Sequence, residues 1–431
     1  MNKKTFRTHN IISKRYLGLY VFLISIGFAI LASVGATYLT NLREGGDGWW
    51  ELATNIHNYG QYSFIKDKPF TTFRPPLYPA LLVACLTTGF PLLSITILQI
   101  LMFSFSSYLI FSAAKLISDN QIQGISTWLI WLTYPYSYLQ IHYVKINILE
   151  TLIISLVLWS LIKILKCPTD TLGWIYFGFA GAASLLSYTM IFIFYAAVFI
   201  LIIFYFMIKK RSIKISRHAL IAFLVTIIVY LPWGLFVFIK SGGKALISAD
   251  PIGFNYFVGN EYANNASLRI YNQGTLGHEY VLNKVEEAGG NRDDQYWQLE
   301  PSIHKELNRM MLQDAIKRPL NLIKKVSTQV FMLWYSSQKN NFIVKIAALW
   351  TFLLFLLFIV GAIKRPTAPN IVLLISIILI TFLYGLTYAY VRYAQPFVYL
   401  LCFVIGDWVM STKTLQNLSL QSFKICNKNN D

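Results

Sequence analysis

Residues 17–39 read L-G-L-Y-V-F-L-I-S-I-G-F-A-I-L-A-S-V-G-A-T-Y-L, without one charged side chain. A helix rises about 1.5 Å per residue, so a run of this length crosses the roughly 30 Å hydrocarbon core of a bilayer. A basic leader precedes it, with Lys3, Lys4, Arg7, Lys14 and Arg15. A cleaved signal peptide has the same charge order, but its apolar core is only about 7–15 residues long. The run therefore reads as an uncleaved first transmembrane helix, and the rest of the chain repeats its pattern.

Further apolar runs predict spans over residues 91–115, 122–140, 146–165, 172–187, 190–208, 217–239, 342–362, 369–388 and 394–410. Of the 431 residues, 56% are hydrophobic and 13% charged, a balance that gives a soluble domain too little polar surface. The expected fold is an all-α polytopic membrane protein, with about ten transmembrane helices plus extracytoplasmic juxtamembrane helices.

The net charge of +18 would suit nucleic acid, but its distribution does not. Many of the bases lie in short loops and tails: the leader, Lys115, Lys163, Lys166, Lys209, Lys210, Arg211, Lys214, Arg217, Lys364, Arg365, Lys413, Lys424 and Lys428. Such clustering marks cytoplasmic loops, and no base-reading or stacking module accompanies it. The expected topology is a multi-pass protein of the inner (plasma) membrane with both termini cytoplasmic. Cys85, Cys167, Cys402 and Cys426 are far apart and form no C-x-x-C pair, so neither a zinc site nor a disulfide framework is indicated.

Three regions follow. Residues 1–239 form an N-terminal membrane module whose first extracytoplasmic loop covers 41–90. Residues 240–341 form a large extracytoplasmic segment, rich in Asn, Gly and Glu, that reads as a loop-rich cap. Residues 342–431 hold the last membrane helices and a cytoplasmic tail. Residues 76–90 are apolar but too short to span, and read as a surface helix. Residues 319–334 read as an interfacial amphipathic helix. Its apolar side carries Leu320, Ile323, Val326, Val330, Leu333 and Trp334, with Lys324, Lys325 and Thr328 elsewhere.

The first loop carries the polar chemistry. Asp47 sits in G-G-D-G, where glycines permit tight turns and close approach of a ligand. Residues 49–59 then fit a helix with Trp49, Leu52, Ala53 and Ile56 on one face, so Asp47 can act as a helix cap or as a reactive carboxylate. In R-P-P-L-Y-P, Pro75 and Pro76 fix an extended path that aims Arg74, and Tyr78 follows. A guanidinium at a membrane surface suits phosphate, or it snorkels to headgroups. Glu150 lies near the outer end of a span, just after His142, Tyr143 and Lys145; it either lines a cavity or pairs with a nearby cation. Arg392 and Tyr393 open the last span and pose the same alternatives as Arg74. His278 and His304 are isolated surface candidates.

Taken in order, the Asp after the first span, A-T-N-I-H-N-Y-G-Q-Y-S (53–63), R-P-P-L-Y-P (74–79), Glu150, L-P-W (231–233), G-F-N-Y-F-V-G-N (253–260) and R-Y-A-Q-P (392–396) resemble the polytopic GT-C glycosyltransferases. That superfamily includes the protein O-mannosyltransferases, the lipid A aminoarabinose transferases and bacterial relatives. The resemblance implies a polyprenyl-phosphate sugar donor and an extracytoplasmic glycan, lipid or protein acceptor. It implies Asp47 as catalytic base, Arg74 and Arg392 as donor-phosphate ligands, and Tyr78, His142, Lys145, Glu150 and Tyr393 as cavity-lining residues. Two departures stand out. Asp47 is followed by Gly48 rather than an acid or alanine, and L-P-W lacks the Arg-Asn that often follows it. No metal-ligand spacing occurs, so the resemblance leaves a divalent cation open. A transporter or lipid flippase shares the multispan architecture, but no paired half-repeats or matching broken helices support it. An oligosaccharide polymerase or ligase would use a lipid-diphosphate donor and another fold.

Overall fold

The computed structural model describes residues 3–39, 48–67, 70–71, 74–209, 213–243, 245–247, 252–264, 279–292, 299, 301–335, 342–389 and 391–412. The ordered elements among them are helices. The first ten are α1 (Lys3–Leu39), α2 (Trp49–Tyr59), α3 (Leu77–Leu86), α4 (Pro91–Ser118), α5 (Gln121–Leu132), α6 (Pro135–His142), α7 (Asn147–Lys166), α8 (Thr171–Leu185), α9 (Thr189–Ile208) and α10 (Ile213–Lys240). Then come α11 (Ile252–Asn264), α12 (Glu279–Glu287), α13 (Pro301–Lys317), α14 (Pro319–Tyr335), α15 (Phe342–Lys364), α16 (Ala368–Leu386) and α17 (Val391–Met410).

Eight of these, α1, α4, α7, α9, α10, α15, α16 and α17, are long and apolar enough to cross a membrane. α7 and α17 are the most enclosed of the eight, whereas α1 and α10 bury the least. Leu31, Ile200, Phe204, Met207, Ile228 and Ile363 project outward, as lipid-facing side chains must when the solvent is hydrocarbon. The chain is a multi-pass membrane protein.

Two expected spans take a different form. Residues 122–140 divide into α5 and α6. Pro135 opens α6, and Tyr134 before it is extended, as the residue preceding a proline prefers. The Tyr138 hydroxyl donates to the Leu132 carbonyl at 2.9 Å, capping an acceptor that the break would orphan. Residues 172–187 become α8, too short to span unaided and separated from α9 by an irregular turn at 186–188. Residues 76–90 contain the short helix α3, packed against α2 and α4.

The described residues of 240–341 are mostly helical. Helices α11 to α14 share a small apolar core of Phe254, Phe257, Val258, Val281, Val285, Ile303, Leu307 and Met332. The pattern is helical, with Val281 and Val285, then Ile303 and Leu307, four apart, but it is divided among short segments that polar residues separate. α14 also departs from its expected faces. Leu320 and Ile323 are 78% and 62% exposed, while Lys325 and Gln329 are fully buried.

At the basic end of the bundle, the buried Asp407 carboxylate accepts from Arg365 Nε at 2.7 Å, Asn370 Nδ2 at 3.0 Å and Gln123 Nε2 at 2.9 Å. Its charge is thus paired and hydrogen-bonded, the condition under which a carboxylate tolerates burial. The cluster ties α17 to α5 and to the α15–α16 connection.

Candidate active site at one end of the bundle

Asp47 lies outside the described residues, but its neighbours do not. Gly48 adopts φ 76°, a left-handed conformation that glycine enters without Cβ strain, and caps the start of α2. The chain then turns Trp49 inward, where it is 1% exposed. Its ring meets Tyr78 edge-on at 5.4 Å. The Arg74 guanidinium lies over the same ring at 4.4 Å. The helix that begins two residues after Asp47 therefore forms the seat of Arg74.

Arg74 is held on several sides and is 7% exposed. Its carbonyl accepts the Tyr62 hydroxyl at 2.8 Å. Burial pushes the Tyr62 phenol well up, with the Arg74 charge partly opposing. The Tyr62 ring packs on Trp233 of the L-P-W segment at 4.9 Å and on Phe70 at 5.5 Å. Beyond the prolines, the Leu77 amide donates to the Leu186 carbonyl at 2.8 Å, so the α8–α9 turn fixes the far end of R-P-P-L.

A second arginine, Arg392, occupies the first turn of α17 and is 9% exposed. Its guanidinium lies 5.4 Å from the Tyr393 ring, which stacks on Tyr384 at 5.3 Å. Asn147 joins this arginine to Glu150. Its amide lies 3.3 Å from the Arg392 carbonyl and 3.4 Å from the Glu150 carboxylate. Glu150 is buried in the first turn of α7, where the helix dipole favours an acid. One turn on, Gln395 donates to Thr151 at 3.0 Å and continues the α7–α17 seam.

Between the two arginines runs a polar and aromatic link. The Gln99 amide on α4 donates to the Tyr143 carbonyl at 2.9 Å and lies 3.5 Å from the Tyr78 hydroxyl. The Tyr143 ring meets His142 edge-on at 5.9 Å, with Lys145 Nζ at 5.4 Å. The Tyr136 phenol lies within electrostatic reach of Arg392, Tyr143 and Tyr388. Arg74, Tyr78, His142 and Lys145 therefore gather around Trp49, Gln99 and Tyr143, Glu150, Arg392 and Tyr393 form a second group with Asn147, and Tyr136 lies within electrostatic reach of both. Tyr78, His142 and Glu150 are buried; Lys145 and Tyr393 are half-buried. His304 lies apart, on α13.

Sequence reading passed over Trp49 as a cation platform, Gln99 and Tyr143 as the link, and Asn147 as the α7–α17 bridge. Only N-x-x-E at 147–150 left a local signal, because side chains three apart meet on a helix. Among the described residues no group of three or more His, Cys, Asp and Glu could hold a metal ion. A cavity of about 450 Å3 lies elsewhere, between α1 and α4 toward the C-terminal part of α4, lined by Gly18, Leu19, Phe22, Phe105, Tyr108 and Lys115 among others.

Comparison with known proteins adds three findings. Two crystal structures of ArnT from Cupriavidus metallidurans, one bound to undecaprenyl phosphate and one in the apo state, are similar at 14% identity and a TM-score of 0.39. The match covers 93% of this chain and 78% of ArnT, and at that level it assigns no residue here. No curated protein matches the sequence. Residues 73–236 match the dolichyl-phosphate-mannose-protein mannosyltransferase family, a stretch that holds Arg74, Tyr78, His142, Lys145, Glu150 and Trp233. The match covers less than half of the chain and, like the order of the motifs, is a similarity to the GT-C glycosyltransferases.

Proposed function

We propose that the protein transfers a sugar from a polyprenyl-phosphate donor to an acceptor on the extracytoplasmic side of the inner membrane. The observation that carries this reading is the pair of buried arginines, Arg74 and Arg392, whose surroundings approach each other through Tyr78, Gln99, Tyr143 and Tyr136, with the first arginine seated on Trp49, two residues beyond Asp47 in the chain. Two enclosed guanidiniums suit a phosphate that must shed negative charge when its glycosidic bond breaks. The short polar loop sits beside spans, so a lipid tail can stay in the bilayer while the sugar reaches the loop.

In the proposed step an acceptor hydroxyl attacks the anomeric carbon as the carbon–oxygen bond to phosphate breaks. Asp47 takes the hydroxyl proton, and the bonding pair leaves with the polyprenyl phosphate, whose charge Arg74 and Arg392 receive. One in-line displacement inverts the anomeric centre. The family match supports glycosyl transfer and does not select between a hexose and a pentose, or among a glycolipid, polysaccharide or protein acceptor.

The test is binding of polyprenyl phosphate to the purified full-length protein in detergent. Arg74→Ala should weaken it about tenfold or more, the loss of roughly 1.4 kcal/mol. Unchanged affinity in a folded variant would make the arginine structural and remove the phosphate assignment.

A further inference from the structure

We propose that Lys325 and Gln329 of α14 are positioning residues that set Arg392 for the donor phosphate, by clamping the turn between α16 and α17 to helix α11. The proposal rests on the reading of Arg392 given above.

The clamp is built from polar atoms that an irregular turn leaves over. The turn occupies residues 387–389, where the backbone leaves helical geometry. Lys325 Nζ donates to the Leu386 carbonyl, one of the last acceptors of α16, at 2.8 Å. The Gln329 side chain is bidentate. Its oxygen accepts the Ala389 amide at 2.8 Å, and its nitrogen donates to the Gly259 carbonyl at 3.1 Å. Arg392 follows Ala389 by three residues, so this turn sets the start of α17.

The partner helix is shaped for this contact. Gly259 lies so close to the turn that an added Cβ would sit 1.9 Å from the Thr387 carbonyl oxygen, and only glycine fits. Tyr256, one turn earlier on α11, offers its ring face to Lys325 Nζ at 3.0 Å. Its hydroxyl donates to Asp314 at 2.9 Å, and Asn260 donates to the same carboxylate oxygen at 3.2 Å. Further along, Tyr262 packs on Tyr388 at 4.9 Å, and Tyr388 meets Tyr393 edge-on at 6.2 Å. The bonds of the clamp thus end on the segment that carries Arg392.

A lysine and a glutamine are costly choices for the buried face of a helix whose Leu320 and Ile323 point outward. A purely structural interface would be served by apolar side chains of similar volume. The polar pair instead fixes a register: each bond addresses one carbonyl or amide of the turn, so the first turn of α17 cannot slide or rotate without breaking one of them. The G-F-N-Y-F-V-G-N and R-Y-A-Q-P segments become two halves of one device.

The experiment is a double-mutant cycle on polyprenyl phosphate affinity in the purified full-length protein, with thermal midpoints measured alongside. Gln329→Met keeps volume and removes both bonds; it should weaken binding about fivefold. Arg392→Ala should weaken it about tenfold or more, and the double variant should match Arg392→Ala alone within about twofold, because residues acting through one group are not additive. Gln329→Glu keeps the acceptor for Ala389 but sets an acceptor against the Gly259 carbonyl, so it should weaken binding about as much as Gln329→Met; it also serves if Gln329→Met is poorly folded. A double variant showing the product of the two losses would overturn the clamp alone. Wild-type affinity in folded Arg392→Ala would overturn the phosphate role of Arg392 and the clamp with it.

Discussion

The Arg74 guanidinium rests 4.4 Å above the ring of Trp49, two residues beyond Asp47. The proposed phosphate ligand and the helix that follows the proposed base in the chain are therefore one mechanical unit. In an enclosed setting a cation–π contact contributes about 2 kcal/mol, against less than 1 kcal/mol at an exposed surface. Trp49→Leu should therefore weaken polyprenyl phosphate binding about tenfold or more, whereas Trp49→Phe should lose less than half of that free energy. Equal losses in the two variants would mean that the ring acts by volume and not by its π face.

Asn147 addresses the Arg392 carbonyl and the Glu150 carboxylate from one amide group. Asn147→Leu leaves both buried acceptors without that donor, at a cost of about 1–3 kcal/mol. The thermal midpoint in detergent should fall by several degrees, and Asn147→Asp should do worse by adding a second carboxylate beside Glu150. A midpoint unchanged in both variants would show that the bridge carries no stability.

Lys325 supplies a pH test. Burial depresses its ammonium to about 7, with Asp314 opposing, and Tyr256 and Asp314 are the titratable groups on the packed helices that face it. Between about pH 7 and the usual lysine value, the unfolded chain binds the extra proton, so stability attributable to this group rises with pH. Lys325→Met removes that dependence. Its stability relative to wild type should be most favourable at or below pH 7 and should become less favourable, by roughly 2–4 kcal/mol, toward pH 10. A difference that is flat over the same range would place the ammonium in solvent.

Glu261 on α11 should show the opposite slope. Burial raises its carboxyl to about 7, Glu279 adds to the rise and the Val281 amide opposes it. The folded state holds the proton between the usual glutamate value and pH 7, so stability falls as pH rises through that window. Glu261→Gln should match wild type near pH 4.5 and exceed it by ~1–2 kcal/mol at pH 8, allowing for partial solvent screening. A variant less stable than wild type at pH 8 would contradict the burial.

What the sequence showed and what it hid follow from the range of the forces. The first apolar run, the helix over 49–59 and the non-spanning length of residues 76–90 were legible because spans and short amphipathic helices are local patterns. The division at Pro135 was also local, but a hydropathy window runs across a two-residue break. The inward face of α14 was illegible. Lys325 and Gln329 are buried because partners more than fifty residues away in each direction offer carbonyls and an amide, and no periodicity records that. Arg74, Glu150 and Arg392 were picked out as ionisable groups near membrane ends. Their meeting through Gln99, Tyr143 and Asn147 depends on contacts spanning up to 245 residues of sequence.

The central claim is that Asp47 removes the acceptor proton while other groups hold the donor. Envelope glycans of a host lacking the protein, complemented with wild type or Asp47→Asn, should be compared by mass spectrometry, together with polyprenyl phosphate affinity of the purified proteins. The account predicts that Asp47→Asn loses the sugar mass increment that wild type restores, at normal protein level and with affinity within about twofold of wild type. Near-normal restoration of that increment by Asp47→Asn would contradict it.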